Sequence, residues 1–303
     1  MANALDTPPL HAVLNAHPNL TWQGGGYLYS ITSANGNNTY TVSGGAETLS
    51  LPIRWAFGAH SQTWVLEYQN KLYESRVSFY QGIDSLDLTM GDQRLHPPQN
   101  IVEAMGRELP THEATRCFTC HATNAVSHDQ IQLDLLTPGV KCEHCHGNTA
   151  EHFEAIKHGK LTSVPPRLKQ LTSEEIAEFC GQCHRSFADV VRDRLFGPMN
   201  VRFQPYRLAH SKCFDGSDSR ISCIACHDPH QQLVKAGVAY QEKCLACHGA
   251  SVVNRPPAAK GCSTGATSGC IGCHMPKTQL PGGNQVFTDH YIRIFRAGEK
   301  YPE

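Results

Sequence analysis

The chain has 303 residues, with 26 Lys and Arg against 27 Asp and Glu and a formal net charge of −1. That balance provides no cationic footprint for nucleic acid or for an anionic membrane surface. No apolar run reaches the 18 or more residues of a spanning helix, so no membrane span is expected, and the length suits one large domain or two of ordinary size.

Residues 1–20 read as a lead-in segment punctuated by proline, with one short helix expected around Leu10 to Asn15. Residues 21–98 form the next expected domain, an antiparallel β module. Runs at 27–32, 39–43, 48–53, 63–68 and 72–80 are rich in aromatic and β-branched residues. Turn signals separate them: Asn35-Gly36, Gly44-Gly45 and the polar Gln69-Asn70-Lys71. Residues 81–98 lose the alternation and end in Pro97-Pro98, which suits a linker, and 100–116 read as one or two short helices broken at Pro110. The expected fold class is α+β: an N-terminal antiparallel β-meander, then a mostly helical or irregular domain at 99–303 with little regular structure.

That last domain carries one signature, Cys-x-x-Cys-His, six times. The copies are Cys117, Cys120 and His121; Cys142, Cys145 and His146; Cys180, Cys183 and His184; Cys223, Cys226 and His227; Cys244, Cys247 and His248; and Cys270, Cys273 and His274. This is the c-type haem attachment sequence. Two thiols a short turn apart add to the two vinyl groups of one porphyrin, which places the following His under the iron. Paired cysteines also build zinc ribbons, thioredoxin-like redox pairs and disulfides, none of which requires His after the second Cys. Six such histidines by chance would be an event on the order of 10⁻⁷ at this His content, so six covalent haems c are expected.

Successive motif histidines, from His121 to His274, lie 21 to 43 residues apart. Such spans hold a short helix and a loop, too little for an ordinary peptide core, so haem must supply the apolar interior. Residues 117–274 are therefore expected to be largely disordered without haem, whereas 20–80 can fold alone.

Twelve of the fourteen cysteines belong to the motifs, leaving Cys213 and Cys262. Haem c is attached outside the bacterial cytoplasm, where this pair could be a disulfide or two separate thiols. The expected location is periplasmic or extracellular. MANALDTPPL has no signal-peptide character, so an export segment is expected upstream of Met1. Haem propionates call for cationic partners, for which Arg202 and Arg207 are candidates beside a solvated-surface reading.

Each iron has a second axial position. Among the remaining histidines, His152, His230 and His290 stand out by context, in CEHCHGNTAEH, CIACHDPH and FTDHYIRI. His152 and His230 sit so close to a motif His that each suits a neighbouring haem better than its own. His128 and His144 follow. His60, His112 and His210 come next, and His11, His17, His96 and His158 are weaker. Met105, Met199 and Met275 are alternatives that would raise a haem's potential.

With these motifs in place, the chain resembles a family of bacterial multihaem c-type cytochromes, distantly related to the electron-transfer cytochromes of nitrifying bacteria. The likeness rests on IRWAFGAHSQTWV (53–65), YESRVSFY (73–80), TPGVKCEHCHG (137–147), NVRFQPYRL (200–208), CIACHDPH (223–230), CIGCHMPK and FTDHYIRI. It implies an exported electron-transfer protein with closely stacked haems, in which His230 and His290 ligate iron. Family sequences often carry a further attachment motif before a stretch like MANAL, and none is present in this chain.

Three functions compete. An electron carrier with mostly bis-His haems between redox proteins or extracellular acceptors is favoured. An enzyme acting on a small nitrogen or sulfur compound needs an open iron position. A conductive filament needs self-association, for which spare His11 and His17 near the N-terminus are the hint.

Overall fold

The computed structural model describes residues 1–8, 11–91, 96–147, 149–160, 167–234, 236–249, 262–296 and 298–302. Leu10, at the start of the expected first helix, and 92–95, within the expected linker, lie outside them. The fold is α+β, in two compact units, Met1–Pro165 and Pro166–Glu303.

In the first unit, Asn19–Gly24, Tyr27–Ala34, Asn37–Gly44 and Glu47–Pro52 form a four-stranded antiparallel meander in sequence order. Its turns demand left-handed backbone. Asn35 and Gly36 have φ of 52° and 78°, as a two-residue hairpin requires. Period-two alternation sends Tyr29, Ile31, Tyr40 and Val42 inward, where they bury completely with Trp64 and Leu66.

A second antiparallel sheet has the order Leu5–Asp6, Trp55–Phe57, Thr63–Tyr68, Lys71–Ser75 and Gly106–Glu108. Both of its edge strands are two or three residues long and come from segments with no visible alternation. The expected strand over 72–80 divides at Arg76. Lys71–Ser75 stays in this sheet, and Val77–Tyr80 pairs instead with Ser85–Leu88. The linker reading of 81–98 is corrected accordingly: four of its residues are a strand that buries Leu86, returned by a turn with Asp84 at φ 50°. Arg76 is buried at the break and donates from Nη2 to the His96 carbonyl at 2.7 Å.

Helices Ile101–Met105 and Thr111–His121 flank Pro110. The second lies on the five-stranded sheet: Phe118 is fully buried, edge-on to Trp55 at 5.6 Å and Phe57 at 5.2 Å. The sheet thereby seats the first attachment motif. Gly139 fixes the approach to the second, because its φ is 77° and a Cβ there would collide with the Ala2 carbonyl.

The second unit is mostly short helices and loops. Capping boxes start two of them: Thr172 with Glu175 opens Ser173–His184, and Ser186 with Asp189 opens Phe187–Arg192. Its apolar cluster is small, with Val190, Phe203 and Tyr206 at its centre. Among the described residues no helix is long and apolar enough to cross a membrane.

Candidate haem centres

Every attachment motif lies on helix. Thr111–His121, Ser173–His184 and Gln241–His248 end on their motif His, and Cys142–His146 and Cys270–His274 are the motifs themselves. Cys223–Cys226 is one helical turn capped by His227. Helical spacing explains the signature, since residues three apart share a face and the next one follows one turn above the first. Cys213 and Cys262 form no disulfide: Cys262 is exposed with its Sγ 3.0 Å from Thr264 Oγ1, and Cys213 is half-buried.

Pairs of motifs meet in the second unit. The sulfurs of Cys180 and Cys223 lie within interaction distance of one another, and so do those of Cys244 and Cys270. Attachment points of the third and fourth motifs are therefore in contact, and so are those of the fifth and sixth.

Several motif histidines engage Nδ1, which leaves Nε2 as the ring nitrogen that could take a haem iron. His121 Nδ1 is 2.8 Å from the Ala4 carbonyl, and its ring meets Phe57 edge-on. His274 Nδ1 is 3.0 Å from the Arg293 carbonyl, and His227 Nδ1 is 3.4 Å from the Tyr240 hydroxyl. A fixed Nδ1 partner sets tautomer and ring orientation for a metal ligand. Burial lowers the pKa of His121 and His227, favouring the neutral, ligating form. His146 is half-buried, whereas His184 and His248 are exposed.

Among the second-ligand candidates, His290 is brought to a motif. Its ring centroid is 6.2 Å from that of His227, with the planes inclined by 42°. Two imidazoles on opposite faces of one iron, each bonded at about 2 Å, have centroids about 6 Å apart, so the pair fits a haem. His290 Nδ1 is held 3.0 Å from the Thr288 carbonyl, again leaving Nε2. Burial pushes His290 down to about 4 against that carbonyl, and His227 and His184 act in the same direction.

The other candidates lie elsewhere. His230 is exposed in the loop after its motif, 3.5 Å from Asp228. His152 is half-buried in helix Ala150–Lys157, His144 sits within its own motif helix, and His128 is exposed with φ 51°, its Nδ1 3.0 Å from Ser127 Oγ. His210 stands among Tyr206, Phe187 and Tyr291. His11 is fully buried with no hydrogen-bond partner on either ring nitrogen, and His17 packs on Phe79 at 4.6 Å. Burial removes His11 as a ligand for a neighbouring copy.

Arg207 is also corrected. It is 0% exposed and grips Asp289 at 2.8 Å, so it is neither solvated nor open to a propionate. No local pattern announces this pairing, because the partner is 82 residues away. Arg202 is exposed, over the Phe203 ring at 5.1 Å.

The family model for cytochrome c554 and c-prime matches residues 93–147, which contain the first two motifs. The high-molecular-weight cytochrome c of Nitratidesulfovibrio vulgaris (Hildenborough) is 26% identical over 181 residues, 50% of this chain and 31% of that protein. The chain thus spans less than a third of that relative. The crystal structure of the outer cell wall cytochrome OcwA is similar with a TM-score of 0.43 and 16% identity, over 80% of this chain and 68% of that one. With its repeated attachment motifs set on helices and the family match over the first two, the chain is a multihaem c-type cytochrome that binds haem c covalently.

Proposed function

We propose that the chain is an exported electron carrier holding six haems c, one at each motif, most of them bis-His coordinated, and that it works between redox proteins or extracellular acceptors outside the cytoplasm. The observation that carries this reading is the 6.2 Å approach of His290 to His227. Haem supplies one-electron chemistry, and two imidazole ligands hold it at low potential. The chain's residues contribute attachment, orientation and closeness. His227 and His290 would take the two axial positions of the haem on Cys223 and Cys226, which leaves no coordination site for a substrate. Contact between Cys180 and Cys223, and between Cys244 and Cys270, supports short steps between consecutive haems.

In this reading residues 1–20 lead in, 21–98 form the β module and 99–303 form the hexahaem domain. His121, His146, His184, His248 and His274 serve as the remaining proximal ligands. His152, His230, His128 and His144 are left as candidates for second ligands.

His290→Ala tests the reading. The haem on Cys223 and Cys226 should turn high-spin and, once reduced, bind carbon monoxide at one haem per chain. If the variant keeps the parent spectrum and binds none, His290 is not a ligand and the bis-His reading of that haem fails.

A further inference from the structure

We propose that Asp289, clamped between Arg207 and Arg293, is a positioning residue that fixes axial histidines of two haems at once, His290 and His274. The inference rests on the reading of both histidines as ligands.

Asp289 is fully buried and every lone-pair direction is used. Its Oδ1 accepts from Arg207 Nε at 2.9 Å and from the Tyr291 N–H at 3.0 Å; its Oδ2 accepts from Arg207 Nη2 at 2.8 Å and Arg293 Nη1 at 2.9 Å. Arg207 Nη1 donates to the Pro302 carbonyl at 2.7 Å, and its guanidinium stacks on Tyr301 at 4.5 Å. Arg293 is held on its other side by Glu299 at 3.0 Å, so two cations face two carboxylates.

From this knot two lines run to the irons. Along the first, His290 follows Asp289 directly, and its carbonyl accepts from Ser211 Oγ at 3.3 Å while the same hydroxyl accepts from the Ile292 N–H at 2.8 Å. The backbone on both sides of His290 is thereby tied down. Along the second, the Asp289 N–H bonds the Pro276 carbonyl at 2.9 Å, just after the sixth motif. The Arg293 carbonyl receives His274 Nδ1 at 3.0 Å, and the Arg293 N–H returns a bond to the His274 carbonyl at 3.1 Å. One carboxylate thus sets the rotation of a distal imidazole on the fourth motif's haem and of the proximal imidazole on the sixth's. A buried ion pair adds little stability over apolar residues of the same volume. What it supplies is direction, through the bidentate fork that lysine lacks.

The test uses the haem-loaded full chain, with Arg207→Met/Asp289→Leu as the apolar replacement and Arg207→Lys as the mild one. Electron paramagnetic resonance reads axial-ligand orientation, and cyanide binding reads how firmly a ligand is held. In the double variant two low-spin signals should shift, and cyanide should bind roughly 10- to 100-fold more readily than to the parent, the range for loss of an outer-shell partner. Arg207→Lys should shift the same two signals by less, and it decides alone if the double variant fails to load haem. Signals and cyanide binding unchanged from the parent, or a shift in one signal only, would overturn the proposal. His290→Ala, run in parallel, separates the two ideas: a silent His290→Ala removes the ligand reading itself, whereas an active one beside a silent clamp variant removes the clamp alone.

Discussion

His227 and His290 face each other across 6.2 Å although 63 positions separate them in the chain, and each turns Nδ1 to a partner, Tyr240 for one and the Thr288 carbonyl for the other. Two neutral imidazoles presenting Nε2 at that spacing are what a six-coordinate, low-spin haem requires. The relationship makes replacement of His290 the most discriminating change on the distal side. His290→Met should keep that haem low-spin while raising its potential, because a thioether donates less to ferric iron than imidazole does. Redox titration followed optically checks this. A potential equal to the parent's would mean that residue 290 does not touch iron.

Haem stoichiometry gives a second prediction. The parent should carry six covalent haems, and Cys270→Ser/Cys273→Ser should carry five, by intact mass under denaturing conditions and by alkaline pyridine absorbance. Loss of two haems in that variant would show that the fifth site depends on the sixth, as the Cys244 to Cys270 contact allows. A parent with fewer than six would remove a motif from the haem count.

Phe118 joins the first motif to the β-sheet, so truncating it should be costly. Phe118→Ala opens a cavity beside Trp55 and Phe57 and should destabilise the first unit by about 3–5 kcal/mol. Thermal unfolding followed in the β region of circular dichroism measures this. A loss under about 1 kcal/mol would mean that the helix Thr111–His121 is held by its haem rather than by the sheet.

Acid should weaken the same unit through His11. Burial alone pushes its imidazole from 6.5 down to about 4. The folded state accepts only the neutral ring while the unfolded chain takes up a proton below 6.5. The group's contribution is therefore complete above pH 6.5 and is lost as pH falls toward 4, to the extent of about 3 kcal/mol. In His11→Phe, urea midpoints at pH 7 and pH 4.5 should lie closer together than in the parent. Equal acid sensitivity in both proteins would assign the effect to other groups.

Much of this was legible in the sequence, for physical reasons that differ by region. Strands such as Tyr27–Ala34 and Asn37–Gly44 announce themselves because one face is buried and the other wet, and Asn35-Gly36 supplies the turn. Leu5–Asp6 and Gly106–Glu108 do not, since two or three residues carry no period and pair only because a sheet edge is offered to them. Attachment residues are read directly because thioether chemistry fixes their spacing. Second ligands are not: His230 and His290 look equally well placed in local context, and only the fold brings His290 to 6.2 Å from His227 while His230 lies beside Asp228. His290 is distinguished by Asp289 and Arg207, a pairing over 82 residues that no local pattern reports.

Bis-His coordination meets its sharpest test in a count of low-spin against high-spin haems in the oxidised, fully loaded protein, by magnetic circular dichroism and electron paramagnetic resonance. The haem bearing His227 and His290 should be low-spin, most or all of the others should be too, and the reduced protein should leave carbon monoxide unbound at that haem. A high-spin signal that disappears when Cys223 and Cys226 are replaced would contradict it, because it would place an open iron where a bis-His conductor is required.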